Sequence, residues 1–436
     1  MLERVQWDER LCVTTSSSLG LRGVLASAPI RCNTALITVP KSACINAITS
    51  ASDVPRNLAS DGSGIDFAAS SLCELRLGPH SSWSDYLQLC SSSSPMCIGP
   101  LPSLPLHWYD DDFALLTGTD AHVLELNQLQ RDAKRTVVPF LSSANDHTIV
   151  NEFVRAAALV WSRAFGNVGL VPGVDLLNHS SESNAHVINT SDQSIDSEAV
   201  TVLASRDIGA GEEIFLTYAN GAGNDLLLRR FGFVECDNPN SVVTISDELL
   251  HDVLDEDEDE DDSNYDHDEK KEQSETDDGE IKYCHSDGGD QHASGRDRYG
   301  PLFVSTEGEI SNGVVRALFG KRVNFTGGSE GTEREVKSID EPDENGLKAL
   351  IALLQARLSR YAGGKAEDDL NEAERESQAA AGKGASSFYT ERAAALRLRG
   401  EEKRALERAF EKVVAHVKRL RSAGRLAKKQ KNSRDG

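Results

Sequence analysis

Nowhere in its 436 residues does the chain hold an uninterrupted apolar run of the roughly 18 residues that a membrane helix needs. Its first eleven residues lack the apolar core of a secretory signal. They also lack the Arg/Ser-rich, acid-poor character of a transit peptide, so a cytoplasmic or nuclear location is expected. Eight cysteines, at 12, 32, 44, 73, 90, 97, 236 and 284, are scattered without a C-x-x-C pair. That spacing argues for reduced thiols and against a disulfide framework, and no clustered ligand set suggests a structural metal. Positive charge is scarce, with 46 Lys and Arg against 70 Asp and Glu and a formal net charge of −24. Direct nucleic-acid binding needs a basic face, so none is expected, and a basic protein partner suits the charge better. No internal repeat is visible.

What is present is unevenly distributed. Residues 252–280 hold seventeen acidic side chains against Lys270 and Lys271, a local balance of −15. This stretch is poor in aliphatics, so residues 246–300 are expected to form an acidic disordered insertion. Ahead of it, short β-type runs (Leu11 to Thr15, Val24 to Ala26, Ala35 to Val39) give way to helical patterns at Asp66 to Leu77, Ala121 to Leu141 and Asn151 to Phe165. Strand patterns then return at Ala185 to Asn189, Ala199 to Leu203 and Glu213 to Thr217. Beyond the acidic stretch, Leu347, Leu350, Ile351, Leu354 and Leu358 form one amphipathic face, and Leu406, Phe410, Val413, Val414, Val417 and Leu420 form another. Gly363 to Ser387, between those faces, is polar, with parts of it helical. The fold class read from this is α+β.

Three clusters carry chemistry. Gly20-Leu21-Arg22-Gly23 enters a strand, and glycine there lets backbone groups approach a ligand closely. Val174-Asp175-Leu176-Leu177-Asn178-His179 ends an apolar run in two short polar side chains. Gly211-Glu212-Glu213-Ile214-Phe215-Leu216-Thr217-Tyr218 delivers a tyrosine into a polar turn, followed by Asn224 to Phe233. Each alone has an ordinary reading: a β-turn, a helix end with a bonded histidine, a core tyrosine with a bonded hydroxyl.

In this order the clusters resemble the SET-domain protein methyltransferases, in the branch that includes the Rubisco large-subunit methyltransferase. Ser162-Arg163, Ser82-Trp83-Ser84-Asp85-Tyr86-Leu87 and the Arg397 to Leu406 stretch resemble the same branch. The resemblance implies a β-rich SET domain with a pseudoknot (1–65 and 151–245), interrupted by a helical insert (66–150). An all-helical substrate-binding domain with a basic tail follows the acidic insertion (301–436). It further implies that S-adenosylmethionine is held by Leu21, Arg22, Gly23, Arg163, Asn178, His179, Tyr218 and Phe231. Tyr218 would be the catalytic tyrosine and Phe165 and Phe233 the wall of the substrate channel, with Ser162 and Asp175 in support. The acceptor would be a lysine of a protein substrate, and the enzyme a monomer. One departure stands out: Phe231-Gly232-Phe233 replaces the family's frequent Tyr-Gly-Phe, which puts the number of methyl groups transferred in doubt. A catalytically weak SET-like module, holding a basic protein through its acidic segment, is the alternative reading.

Overall fold

The structure, a computed structural model, describes residues 4–15, 22–46, 49–50, 65–91, 104–105, 108, 110–121, 146–166, 168–188, 199–259, 301–320, 344–382 and 390–432. Leu21 and the helix expected at Ala121 to Leu141 lie outside these residues, apart from Ala121 itself. The described residues form two compact units. One comprises 1–114, 121–239 and 373–395, the other 115–120, 240–372 and 396–436.

The first unit contains the expected strands. Gln6–Trp7, Ala35–Pro40, Ala199–Ala204 and Ala185–Ile188 make a four-stranded antiparallel sheet in that order. Val39 pairs with Val200 and Val187 with Val202. Val200, Val202 and Ala204 alternate inward, the period-two signature of a sheet buried on one face. A separate hairpin pairs Leu11–Thr15 with Arg22–Ala26. Its inner edge takes up the segment before Tyr218. The Ala26 amide donates to the Glu212 carbonyl at 2.9 Å, and the Ile214 amide donates to the Val24 carbonyl at 2.8 Å. Only Phe215–Leu216 of the strand expected at Glu213 to Thr217 forms a ladder, and it runs parallel to Asn178–His179. Glu213 instead bridges to Leu25, so this short stretch serves two partners in turn.

Two helices back this framework, Ile65–Leu77 and Asp146–Arg163. The second starts and ends two or more residues earlier than expected, and Ala164–Phe165 turns into a two-residue strand. It is apolar on most of its surface: Ile149, Phe153, Ala156, Ala157 and Ala158 are all buried, as befits a helix packed within a unit's centre. Ser162 Oγ donates to the Ala158 carbonyl at 2.8 Å in its last turn, leaving Arg163 as its final residue.

The second unit is built from Asp247–Asp259, Asn312–Gly320, Glu344–Ser359 and most of the 42-residue helix Glu391–Asn432, beside a two-stranded pairing of Val242–Thr244 with Phe303–Ser305. Leu347, Leu350, Leu354, Leu406 and Val413 meet in its core, while Leu420 stays exposed. Ala366–Gly382 is a full helix within the polar stretch. Arg357, 3% exposed, is the polar centre of this unit. It donates to Asp120 Oδ1 at 2.8 Å, the Gly118 carbonyl at 2.7 Å and the Thr244 carbonyl at 3.0 Å, and its guanidinium lies 4.8 Å from the Tyr361 ring centroid. The Tyr361 hydroxyl donates to Glu402 at 2.7 Å.

One expectation is corrected here. Residues 247–259 are a helix rather than the start of a disordered segment, because Leu249, Leu250 and Val253 bury one face of it against the second core. Three apolar residues suffice to dock a short helix whose described exposed residues are Asp247, Glu248, His251 and Asp252. Leu250→Ala should therefore destabilise the protein by about 2–5 kcal/mol, through lost burial and the cavity left behind. Thermal or urea unfolding measures it; an unchanged midpoint would mean the helix does not pack.

Candidate cofactor and methyl-transfer site

Three crossing segments assemble the site within the first unit. The hairpin brings Arg22 and Gly23, the 174–179 segment brings Asn178 and His179, and the 212–218 segment brings Glu213 and Tyr218. Asn178 ties all three. Its amide nitrogen donates to the Arg22 carbonyl at 2.8 Å and to Glu213 Oε1 at 2.7 Å. Gly23 is required at this crossing, since a Cβ there would collide with the Glu213 carboxylate.

Both arginines turn toward the same short stretch. Arg22 donates to the Leu176 carbonyl at 3.2 Å, and Arg163 donates to the Asp175 carbonyl at 3.2 Å. Asp175 is buried, with its carboxylate 3.7 Å from Arg163 and bonded by the Tyr86 hydroxyl at 2.7 Å and the Gly173 amide at 3.1 Å. Burial pushes its pKa up, and Arg163, Tyr86 and Arg22 oppose that push. The sequence pointed to Asp175 only as a supporting residue. Its contacts show the support: it anchors Arg163 and braces the turn before Asn178.

Tyr218 sits where the parallel pair ends. Its amide donates to Nδ1 of His179 at 3.1 Å, and its hydroxyl donates to the Leu177 carbonyl at 2.8 Å. Burial raises the Tyr218 pKa to about 12, with Arg163 and Arg22 pulling it back down, so the phenol is protonated at neutral pH. Around it stand three rings: Phe231 at 4.9 Å between centroids, His179 at 5.2 Å and Phe233 at 6.2 Å. Phe231 and Phe233 can both face Tyr218 because Gly232, between them, adopts φ of 78° and closes the Asn224–Phe231 helix. That helix is aligned by Asp225 in its first turn, by Arg229 and Arg230 in its last, and by Arg230 lying 4.6 Å over Trp161. Phe165 packs against the same core as Tyr218.

His179 accepts a proton-bearing amide at Nδ1, so its own proton is on Nε2, which faces Glu235 Oε2 at 3.5 Å. Burial lowers its pKa, and Glu235 partly offsets this. Glu213, Glu235 and Asn184 belong to this framework although no sequence motif assigned them a functional role. In a chain with 70 acidic residues a single glutamate carries no signal of its own.

The His179 pKa has a consequence for stability. Above its ordinary 6.5 the ring is neutral in folded and unfolded chains alike and contributes no pH dependence. Below that value the unfolded chain takes up a proton that the folded chain resists, so stability falls as pH drops from 6.5 toward the lower folded pKa. Unfolding measured from about pH 7 to about pH 5 should show a steeper loss for the wild type than for His179→Asn. Parallel curves would mean that His179 protonates freely in the fold.

Residues 21–219 match the family model of the SET domain. Among curated proteins, the chain is 25% identical over 269 residues to the N-lysine methyltransferase setd6 of Xenopus laevis, covering 54% of this chain and 56% of that one. It is 26% identical over 289 residues to the N-lysine methyltransferase SETD6 of Mus musculus, covering 58% of each. The chain thus spans about half the length of the curated relatives it matches. Among solved structures, Rubisco LSMT bound to sinefungin and monomethyllysine aligns over 93% of this chain and 87% of its own, with a TM-score of 0.56 at 17% identity. Rubisco LSMT bound to AdoMet aligns over the same shares with a TM-score of 0.55. The sequence match and the likeness of fold agree: residues 21–219 resemble the SET domain, and the chain's α+β fold is like that of Rubisco LSMT.

Proposed function

We propose that the protein transfers a methyl group from S-adenosylmethionine to a lysine side chain of a protein substrate. The observation that carries this reading is the Tyr218 site, a half-buried tyrosine with a protonated phenol, ringed by Phe231, Phe233 and His179 at the junction of Asn178 and Glu213. The names of the relatives and the ligands of the structural neighbours support it.

The residues suit the cofactor. Arg22 and Arg163 offer two guanidinium groups for a carboxylate, and Glu213 Oε2 is buried with no hydrogen-bond partner among the described residues, an acceptor suited to an ammonium. Gly23, Asn178 and His179 would add close backbone and amide contacts, with Leu21 beside them in sequence and Phe231 against the ring system. S-adenosylmethionine, when bound, supplies a methyl already activated by its sulfonium.

The protein's remaining task is to present a neutral amine. A lysine with pKa of about 10.4 is protonated at pH 7, and removing that proton costs roughly 4–5 kcal/mol. A channel walled by Phe165, Phe231 and Phe233 disfavours the charged amine and favours loss of its proton to solvent on entry. Tyr218 commits its own proton to Leu177, which leaves its oxygen free to accept an N–H of the incoming amine. His179 does not act as a base, because its Nδ1 is occupied by the Tyr218 amide. The C-terminal helical region expected at 301–436 would hold the substrate protein, the chain acting as a monomer in cytoplasm or nucleus without nucleic acid.

Tyr218→Phe should lower kcat by about a hundredfold or more while cofactor affinity stays within a few-fold, as for a group used mainly in the transition state. Turnover near wild type would remove Tyr218 from the mechanism. Phe231→Tyr should place a hydroxyl beside Tyr218 and shift the product toward fewer methyl groups per lysine. Intact-mass spectrometry of the labelled substrate reads this, and an unchanged ratio of products would leave Phe231 a packing residue.

A further inference from the structure

The residue that sets the histidine ring beside Tyr218 belongs to neither motif that delivers the site. Glu235 follows Phe233 by two positions, and three separate segments meet at it. Its main chain is clamped by Asn224: the Glu235 amide donates to Asn224 Oδ1 at 3.0 Å, and Asn224 Nδ2 donates to the Glu235 carbonyl at 2.9 Å. Asn238, bonded to the Ala222 carbonyl at 2.9 Å, completes that clamp by donating to Asn224 Oδ1. With the main chain fixed, the side chain reaches the far side of the site. Oε1 accepts the Ser181 amide at 2.9 Å, just past His179, and Oε2 faces His179 Nε2 at 3.5 Å. Both of those last atoms are buried, and neither has a hydrogen-bond partner among the described residues, so this 3.5 Å approach is the polar contact each makes.

An imidazole between an N–H donor and a carboxylate has one favourable neutral form. The proton must lie on the side of the carboxylate, and the other nitrogen must accept. Here the accepting nitrogen takes the amide of Tyr218 at 3.1 Å. We propose that Glu235 is a positioning residue for Tyr218, acting through the tautomer of His179. The inference rests on the methyl-transfer reading above, because it matters to the reaction only if Tyr218 contacts the amine. Its physical content is a series of contacts: the hydrogen-bonded Asn224 clamp on Glu235, the 3.5 Å approach of the Glu235 carboxylate to His179 Nε2, and the hydrogen bond from the Tyr218 amide to His179.

Glu235→Gln tests it with almost no change of shape. The clamp uses main-chain atoms of residue 235 and is untouched. Glutamine has one acceptor, which the Ser181 amide takes, so its NH2 group faces His179 Nε2 and calls for a lone pair there. The proton then moves to Nδ1, where it opposes the Tyr218 amide. We expect the ring-nitrogen signals of His179, read by a proton–nitrogen correlation spectrum and assigned against His179→Gln, to change tautomer. We also expect kcat to fall by about tenfold or more, as a small misplacement of a catalytic group can do. Cofactor Kd should change by less than kcat, and a melting curve verifies that the variant is folded.

An unchanged tautomer in Glu235→Gln overturns the inference, since Glu235 then does not set it. A changed tautomer with wild-type kcat also overturns it, since Tyr218 then does not depend on His179. If the wild type transfers no methyl group to any protein, the methyl-transfer reading fails instead. The ring spectrum would still report, by itself, whether Glu235 controls His179.

Discussion

The site depends on one short segment serving two partners in turn. Residues 212–214 hydrogen-bond to the hairpin edge at Val24 and Ala26, and immediately after them Phe215–Leu216 runs parallel to Asn178–His179. This segment carries no stable ladder of its own length, so its geometry comes from side chains that close the junction. Asn184 donates to the Glu213 carbonyl at 2.8 Å and accepts the Phe215 amide at 2.8 Å, and Asn178 spans from Arg22 to Glu213. Buried amides in such positions have a single arrangement that satisfies them, so the crossing is specific as well as stable. Every functional group of the site, from Arg22 to Tyr218, is placed relative to that crossing.

The aromatic enclosure follows from the same constraint. Tyr218 leaves the parallel pair with its amide held by a side chain and its hydroxyl held by a carbonyl, so neither end of the residue is left to rotate. The helix after it ends in a left-handed glycine, and that single backbone choice turns two phenylalanines toward one phenol. The rings exclude water from the protonated phenol and account for its raised pKa. On the proposed reading, such a site would work by desolvation and alignment, with no group titrating near neutral pH required to move a proton.

Much of this was legible in the sequence, and the reason differs from element to element. The strand at 199–204 alternates cleanly because one face of the sheet is buried, and the strand at 35–40 does so from Ile37 onward, past the register shift between Ala35 and Ile37. Tyr218, Asn178, His179, Phe231 and Phe233 stand in motifs, and the structure brings them together; Phe165 shares their core. The acidic helix at 247–259 was hidden because its composition resembles a solvated segment, and only Leu249, Leu250 and Val253 betray the buried side. Glu235 and Glu213 were hidden for a different reason: their roles arise from atoms of distant segments, a relation that no local pattern encodes.

The Arg357 centre of the second unit bears on how the polypeptide can be divided. Its strongest partner, Asp120, and the Gly118 carbonyl come from a six-residue stretch that the ribosome makes more than two hundred residues before Arg357. A fragment cut at residue 240, where the second unit's main stretch begins, would bury a guanidinium with two of its three hydrogen bonds missing, an expensive state in a low-dielectric interior. The helical unit is therefore no independent module that evolution or an engineer could transplant by a single cut. Its completion waits on a strap of chain already synthesised, and a cut between them leaves Arg357 without its carboxylate partner Asp120.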